Sequence, residues 1–99
     1  MTFFPLFHNT NTLKALLIGG GNIATRRAKS LIQAGVACDV MATSVSEDLV
    51  YLIESSGGGV TIDAYATDEV MLGYSLILAL TDDRTVNKQV ATDAKSMGL

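Results

Sequence analysis

Four short apolar runs, LKALLI (13–18), ACDVMA (37–42), VTIDA (60–64) and SLILAL (75–80), alternate with segments whose apolar residues recur at helical spacing. Each run is too short for a helix and has glycine or a small polar residue at one flank or both, so each reads as a strand. The first and last are apolar enough to be covered on both faces. Such a strand needs helices above and below its sheet. Strand and helix segments joined by short connections supply them, and make the sheet parallel with right-handed crossovers. The pattern predicts an α/β fold built on a doubly wound parallel sheet of about four strands. SLILAL, the most apolar run, is expected as the central fourth strand.

The segments between the runs carry their own punctuation. From 22 to 34 the apolar residues Ala24, Ala28, Leu31 and Ile32 share one helical face, and Gly35 supplies a left-handed stop. A second helix is expected over 46–54 with Ser46 as its N-cap, and Gly57 to Gly59 break the chain behind it. A helical turn is expected over 68–72. In the last segment Val86, Val90, Ala94 and Met97 form one stripe behind Asp82 or Asp83, either of which is a natural cap.

Composition narrows the classes of function. Ninety-nine residues, 48% hydrophobic and 17% charged, make one globular domain over 1–99 and exclude a disordered chain. A net charge of -3 gives no general attraction to nucleic acid or to anionic membrane, so neither is expected as a partner. No run approaches the roughly 20 apolar residues that cross a bilayer. The opening MTFFPLF has no basic residue and is broken by Pro5, so it is not a signal peptide. Cys38 is the single cysteine and His8 the single histidine, which rules out an internal disulfide and offers no metal-ligand spacing. A soluble, cytoplasmic protein without a metal site is expected.

Directly behind the first strand stands GGGNIATRRAK. In a doubly wound sheet this turn binds a pyrophosphate when the backbone comes close and the next helix points its N-terminus at the ligand. Gly19 is assigned the tight turn, Gly21 the close approach of ligand to backbone, and Ala24 the close packing of helix on sheet, a G-x-G-x-x-A fingerprint. A strand before it, a helix after it and a second strand within about 30 residues make this a Rossmann-like dinucleotide site. The second strand ends at Thr43 and Ser44, where an acid usually holds the adenosine ribose, so hydroxyl or backbone groups serve there. No basic residue stands nearby to clamp an NADP phosphate, and NAD is favoured. Asp39, inside the second strand, reads as a solvent-facing or edge residue rather than a ribose ligand. Arg26 and Arg27 read as a solvated helix face or as contacts to phosphates or a carboxylate-rich substrate. Thr81, Asp82 and Asp83 fall at the carboxyl edge of the sheet, where they cap a helix and line the cofactor crevice.

FFPLF near the start, LLIGGGNIATRRAKSLIQAG and ALTDDRTVNKQVATDAKSMG, in this order and spacing, resemble the NAD-binding domain of siroheme synthase and the stand-alone precorrin-2 dehydrogenases. The resemblance covers nearly the whole chain. It implies an NAD-dependent dehydrogenase that oxidises precorrin-2, a tetrapyrrole, to sirohydrochlorin, with ferrous iron insertion by some members, and a homodimer. Carried over by position, the cofactor contacts are Gly19, Gly20, Gly21, Asn22, Ile23, Thr43 and Ser44, to which the crevice reading adds Thr81 and Asp82. The family continues into a strand of the form Asn-Val-Val-Asp, whose aspartate is assigned the acid–base work, and then into a dimerisation and substrate region. This chain ends at Leu99, ahead of both, so the resemblance implies an incomplete domain, assigns no catalytic residue, and leaves a sheet edge open to self-association. The second strand, CDVMATS, also departs from the family's apolar run ending in Ala-Pro or Ser-Pro. The alternative reading is a non-catalytic NAD(H)-binding regulatory module.

Overall fold

The computed structural model describes residues 13–99; the FFPLF opening and His8 lie outside the described residues. In chain order come β1 (Lys14–Ile18), α1 (Asn22–Gln33), β2 (Ala37–Ala42), α2 (Glu47–Ser55), β3 (Val60–Ile62), a 3₁₀ turn (Asp68–Met71), β4 (Leu76–Ala79) and α3 (Arg84–Ser96). The strands form one parallel sheet in the order β3-β2-β1-β4. Leu16 of β1 lies opposite Asp39 of β2 on one side and Ile77 of β4 on the other, and Ala42 of β2 lies opposite Ile62 of β3.

Successive side chains of a strand point to opposite faces, so β1 feeds two cores at once. Ala15 and Leu17 join Val40 beneath Ala24 and Ala28 of α1 and Leu49 and Ile53 of α2. Leu16 and Ile18 join Met41, Met71, and Val90 and Ala94 of α3 on the other face. The sheet is therefore doubly wound and Rossmann-like. Ala24 and Ala28 are wholly buried, and their small side chains let α1 lie close on the strands. At its far end α1 closes with the Val36 amide donating to the Leu31 carbonyl at 2.9 Å while Gly35 adopts φ 86°, a left-handed position that glycine takes without strain.

SLILAL is not the central strand. Among the described residues β4 pairs with β1 alone and forms an edge, and β1 and β2 are the interior strands. Apolarity reports cover on a strand's faces and says nothing about its lateral neighbours. Both faces of this strand are covered, Leu78 packing against the first core and Ile77 and Ala79 against the second, while Leu76 stays 43% exposed.

Asp39 is partly exposed, stands away from the cleft lining, and is held by its neighbours rather than free in solvent. Its carboxylate accepts from the Tyr74 hydroxyl at 2.5 Å and the Gly59 amide at 2.8 Å, and Lys14 Nζ stands 3.5 Å away. One side chain thus ties β1 and β2 to the entries of β3 and β4. Burial works against its charge, but these hydrogen bonds and the lysine outweigh burial and hold the carboxyl below its ordinary range. Burial, the hydrogen bond to Asp39 and its charge push the Tyr74 hydroxyl up to about 12. A tyrosine pKa raised on folding stabilises fully below its unfolded value near 10 and loses that contribution as pH climbs through 10 to 12. Tyr74→Phe is expected to cost about 1–2 kcal/mol at neutral pH, the low end for a hydrogen bond to a charged group because the site is part-exposed. Urea titration checks this, and the difference from wild type should shrink above about pH 10. Cys38 is buried beside Asp39, and burial first, then the aspartate charge, push its thiol up, so it is a packing residue.

Candidate functional site

The strand order reverses direction between β1 and β4, and there the carboxyl ends of the strands open into a cleft of about 720 Å³. Every residue expected at the cofactor site lines it. Gly19, Gly20, Gly21, Asn22 and Ile23 form the floor, from the end of β1 into α1; Thr43 and Ser44 form the wall behind β2; Thr81 and Asp82 form the wall behind β4.

The three glycines do different work. Gly19 has φ +143°, and a Cβ there would lie 2.4 Å from the Leu80 carbonyl oxygen. At Gly20 a Cβ would lie 1.9 Å from the Ser44 carbonyl oxygen and 2.8 Å from Val45 Cα. Both positions are closed by the protein itself. A Cβ at Gly21 would meet nothing within 4 Å. The third glycine alone faces open space, which is the geometry required where a ligand must reach the backbone. Gly20 carries a steric role between the β1–α1 turn and the β2–α2 loop that spacing in the sequence did not reveal. It also accepts the Ser46 amide hydrogen at 3.0 Å.

The start of α1 differs from those of α2 and α3 in having no side-chain cap. Ser46 caps α2 by accepting from the Leu49 amide at 3.3 Å, and Asp83 caps α3 by accepting from the Thr85 amide at 2.9 Å and the Val86 amide at 3.3 Å. At α1 the capping residue is Gly21, with no side chain to offer and no acid in the first turn. The first intrahelical bond runs from the Thr25 amide to the Gly21 carbonyl, so the amides ahead of it have no helix acceptor, and the macrodipole favours negative charge at them. These groups and the space before Gly21 fit the pyrophosphate of a dinucleotide.

The β4–α3 connection is held by Asn87. Its carboxamide donates to the Thr81 carbonyl at 2.9 Å, and its Oδ1 accepts from the Thr81 amide at 3.1 Å and the Thr81 hydroxyl at 2.6 Å. Of the two aspartates expected as caps, Asp83 takes the helix and Asp82 remains an exposed part of the cleft wall. Arg26 and Arg27 are exposed on α1 and are not among the residues that line the cleft.

Asp63, Ala64 and Tyr65, behind β3, complete the cleft and were not singled out from the sequence. The Tyr65 hydroxyl donates to Asp93 of α3, whose other oxygen accepts from Gln89 at 2.8 Å. Burial and this carboxylate push the tyrosine hydroxyl well above its ordinary range. The signal that finds these residues is topological: every strand of a parallel sheet delivers its next residues to the same edge. Among the described residues, no helix is long and apolar enough to cross a membrane.

Comparison with known proteins agrees with this geometry. An NAD(P)-binding family model matches residues 6–99. Siroheme synthase of Pseudomonas fluorescens strain SBW25 is 40% identical over 95 residues, covering 96% of this chain and 20% of that protein. Siroheme synthase of Stutzerimonas stutzeri strain A1501 is 36% identical over 99 residues, covering 100% of this chain and 21% of that protein. Among solved structures, SirC, a precorrin-2 dehydrogenase, superposes with a TM-score of 0.73 at 31% identity, covering 87% of this chain and 43% of that one. The chain spans about a fifth of the length of these curated relatives.

Proposed function

The chain belongs to the NAD(P)-binding family whose model spans residues 6–99, and on that premise we propose that it binds NAD in the cleft and serves the oxidation of precorrin-2 to sirohydrochlorin in siroheme biosynthesis. The observation that carries the binding step is the open space before Gly21, set against an α1 terminus without a side-chain cap. The siroheme synthase relatives and the precorrin-2 dehydrogenase neighbour support the choice of reaction and of a tetrapyrrole substrate.

In this reading the Gly21, Asn22 and Ile23 amides hold the pyrophosphate, and the Thr43 and Ser44 hydroxyls face the adenosine ribose. Thr81, fixed through Asn87, and Asp82 wall the crevice on the β4 side and exclude water from it. The chemistry supplied by bound nicotinamide is acceptance of a hydride from the substrate carbon. A homodimer, which the resemblance to the precorrin-2 dehydrogenases implies, is part of the same reading.

A calorimetric NAD titration, run beside absorbance-followed oxidation of precorrin-2, tests the proposal. Saturable binding with poor or absent turnover is the expected result for this chain by itself, whether as the cofactor half of the dehydrogenase or as the regulatory module. Turnover would place a sufficient acid–base group within these residues, and no binding overturns the cofactor assignment.

A further inference from the structure

A dinucleotide cleft of this kind ordinarily carries an acid at the end of the second strand, where it holds the adenosine ribose hydroxyls. Here β2 leads into Thr43 and Ser44. The acid stands one strand over. Ala42 lies opposite Ile62, and the Asp63 amide donates to the Ala42 carbonyl at 2.9 Å, so continuing the parallel register sets Asp63 beside Thr43. Neighbouring strands lie about 4.8 Å apart, so the carboxylate is displaced from the usual place by one strand spacing, a distance on the scale of the ribose and its substituents. Asp63 is exposed, lines the same cleft as Thr43 and Ser44, and is oriented by the Ala64 amide, which donates to its Oδ1 at 2.8 Å.

The charge of the cleft points the same way. Its charged lining side chains are all carboxylates, Asp63, Asp82 and Asp83, and Asp83 is engaged as the α3 cap. No lysine or arginine is among the described residues that line it. A phosphomonoester brings about -1.5 to -2 charges near neutral pH and is ordinarily met by arginine or lysine.

We infer that Asp63 stands in for the missing second-strand acid and makes the cleft reject cofactors bearing a 2′-phosphate, so that NAD is selected over NADP by a residue of β3. This rests on the cofactor reading above. The selection is electrostatic and steric: a carboxylate beside the ribose accepts from its hydroxyls and repels a phosphate attached there.

The test is a pair of calorimetric titrations, NAD and NADP, on the full chain and on Asp63→Asn. Wild type is expected to bind NAD more tightly than NADP. Asp63→Asn is expected to narrow the ratio of dissociation constants by roughly tenfold, chiefly through a gain in NADP affinity, as loss of one unit of like-charge repulsion at several ångströms requires. A merely structural role for Asp63 would weaken both cofactors and strengthen neither. About 0.5 M salt should shrink the wild-type preference and leave that of the variant nearly unchanged. Asp63→Ser serves in place of the asparagine variant if circular dichroism shows that the latter is not folded. An unchanged ratio in a folded variant, or equal affinity of wild type for the two cofactors, overturns the inference and leaves the cofactor reading standing. Failure of wild type to bind either dinucleotide overturns both.

Discussion

Replacing Gly21 with valine is expected to weaken NAD binding by roughly 100-fold, about 2.7 kcal/mol, while the melting temperature falls by only a few degrees. The side chain would enter space in which a Cβ meets no protein atom within 4 Å, so nothing in the fold resists it. The backbone at Gly21, φ -98° and ψ -158°, is extended and accessible to valine. The fold loses at most a slightly better N-cap, about 0.5–1 kcal/mol. The ligand loses its approach to the amides at the start of α1. Calorimetry for binding and far-ultraviolet circular dichroism for the fold check the two halves separately. Undiminished affinity in a folded Gly21→Val protein would sink the assignment of the turn to the pyrophosphate.

One residue earlier the expectation reverses. Gly20→Ala is expected to cost about 3 kcal/mol of stability and lower the melting temperature by more than about 10 °C. The added Cβ would overlap the Ser44 carbonyl at 1.9 Å and Val45 Cα at 2.8 Å, both backbone atoms, so relief requires moving the β2–α2 loop. That movement strains the Ser46 amide bond to the Gly20 carbonyl and, behind it, the Ser46 cap of α2. The loss is a large share of the 5–15 kcal/mol that holds a domain of ordinary stability. Thermal denaturation decides it: a variant melting within a degree or two of wild type would show that the loop yields cheaply. Adjacent glycines thus separate open space from space already filled by the chain.

The contrast also marks where sequence reading stops. The glycine fingerprint, the helical stripes and the candidate caps Ser46 and Asp83 were legible because each is a local pattern tied to a strand or helix period. The close approach of Gly20 to Ser44 joins residues 24 apart, and the Asp39–Tyr74 bond joins residues 35 apart; no periodicity encodes either. Asp39 looked like a surface residue because an isolated acid in a strand usually is one, whereas here Lys14, Gly59 and Tyr74 converge on it. The place of β4 was misread for a related reason. Hydrophobicity along SLILAL records the helices and turns above and below it, while lateral order depends on which way the chain crosses after β3. Asp63 and Tyr65 reached the cleft through that same crossing.

The position of β1 between β2 and β4 governs how this cleft can move. Leu16, Leu17 and Ile18 are at most 4% exposed and bonded to a strand on each side. Amide protons in such a strand exchange with solvent only through openings close to global unfolding, whereas those on loops exchange through small local fluctuations. The Gly19 amide extends the protected region into the turn by donating to the Met41 carbonyl at 3.0 Å. The glycine turn is therefore anchored on a strand whose amides are expected to be among the slowest to exchange. Any breathing that admits or releases a dinucleotide is expected at the opposite rim, residues 63–65 and 80–83, and bound cofactor should slow deuterium uptake there most.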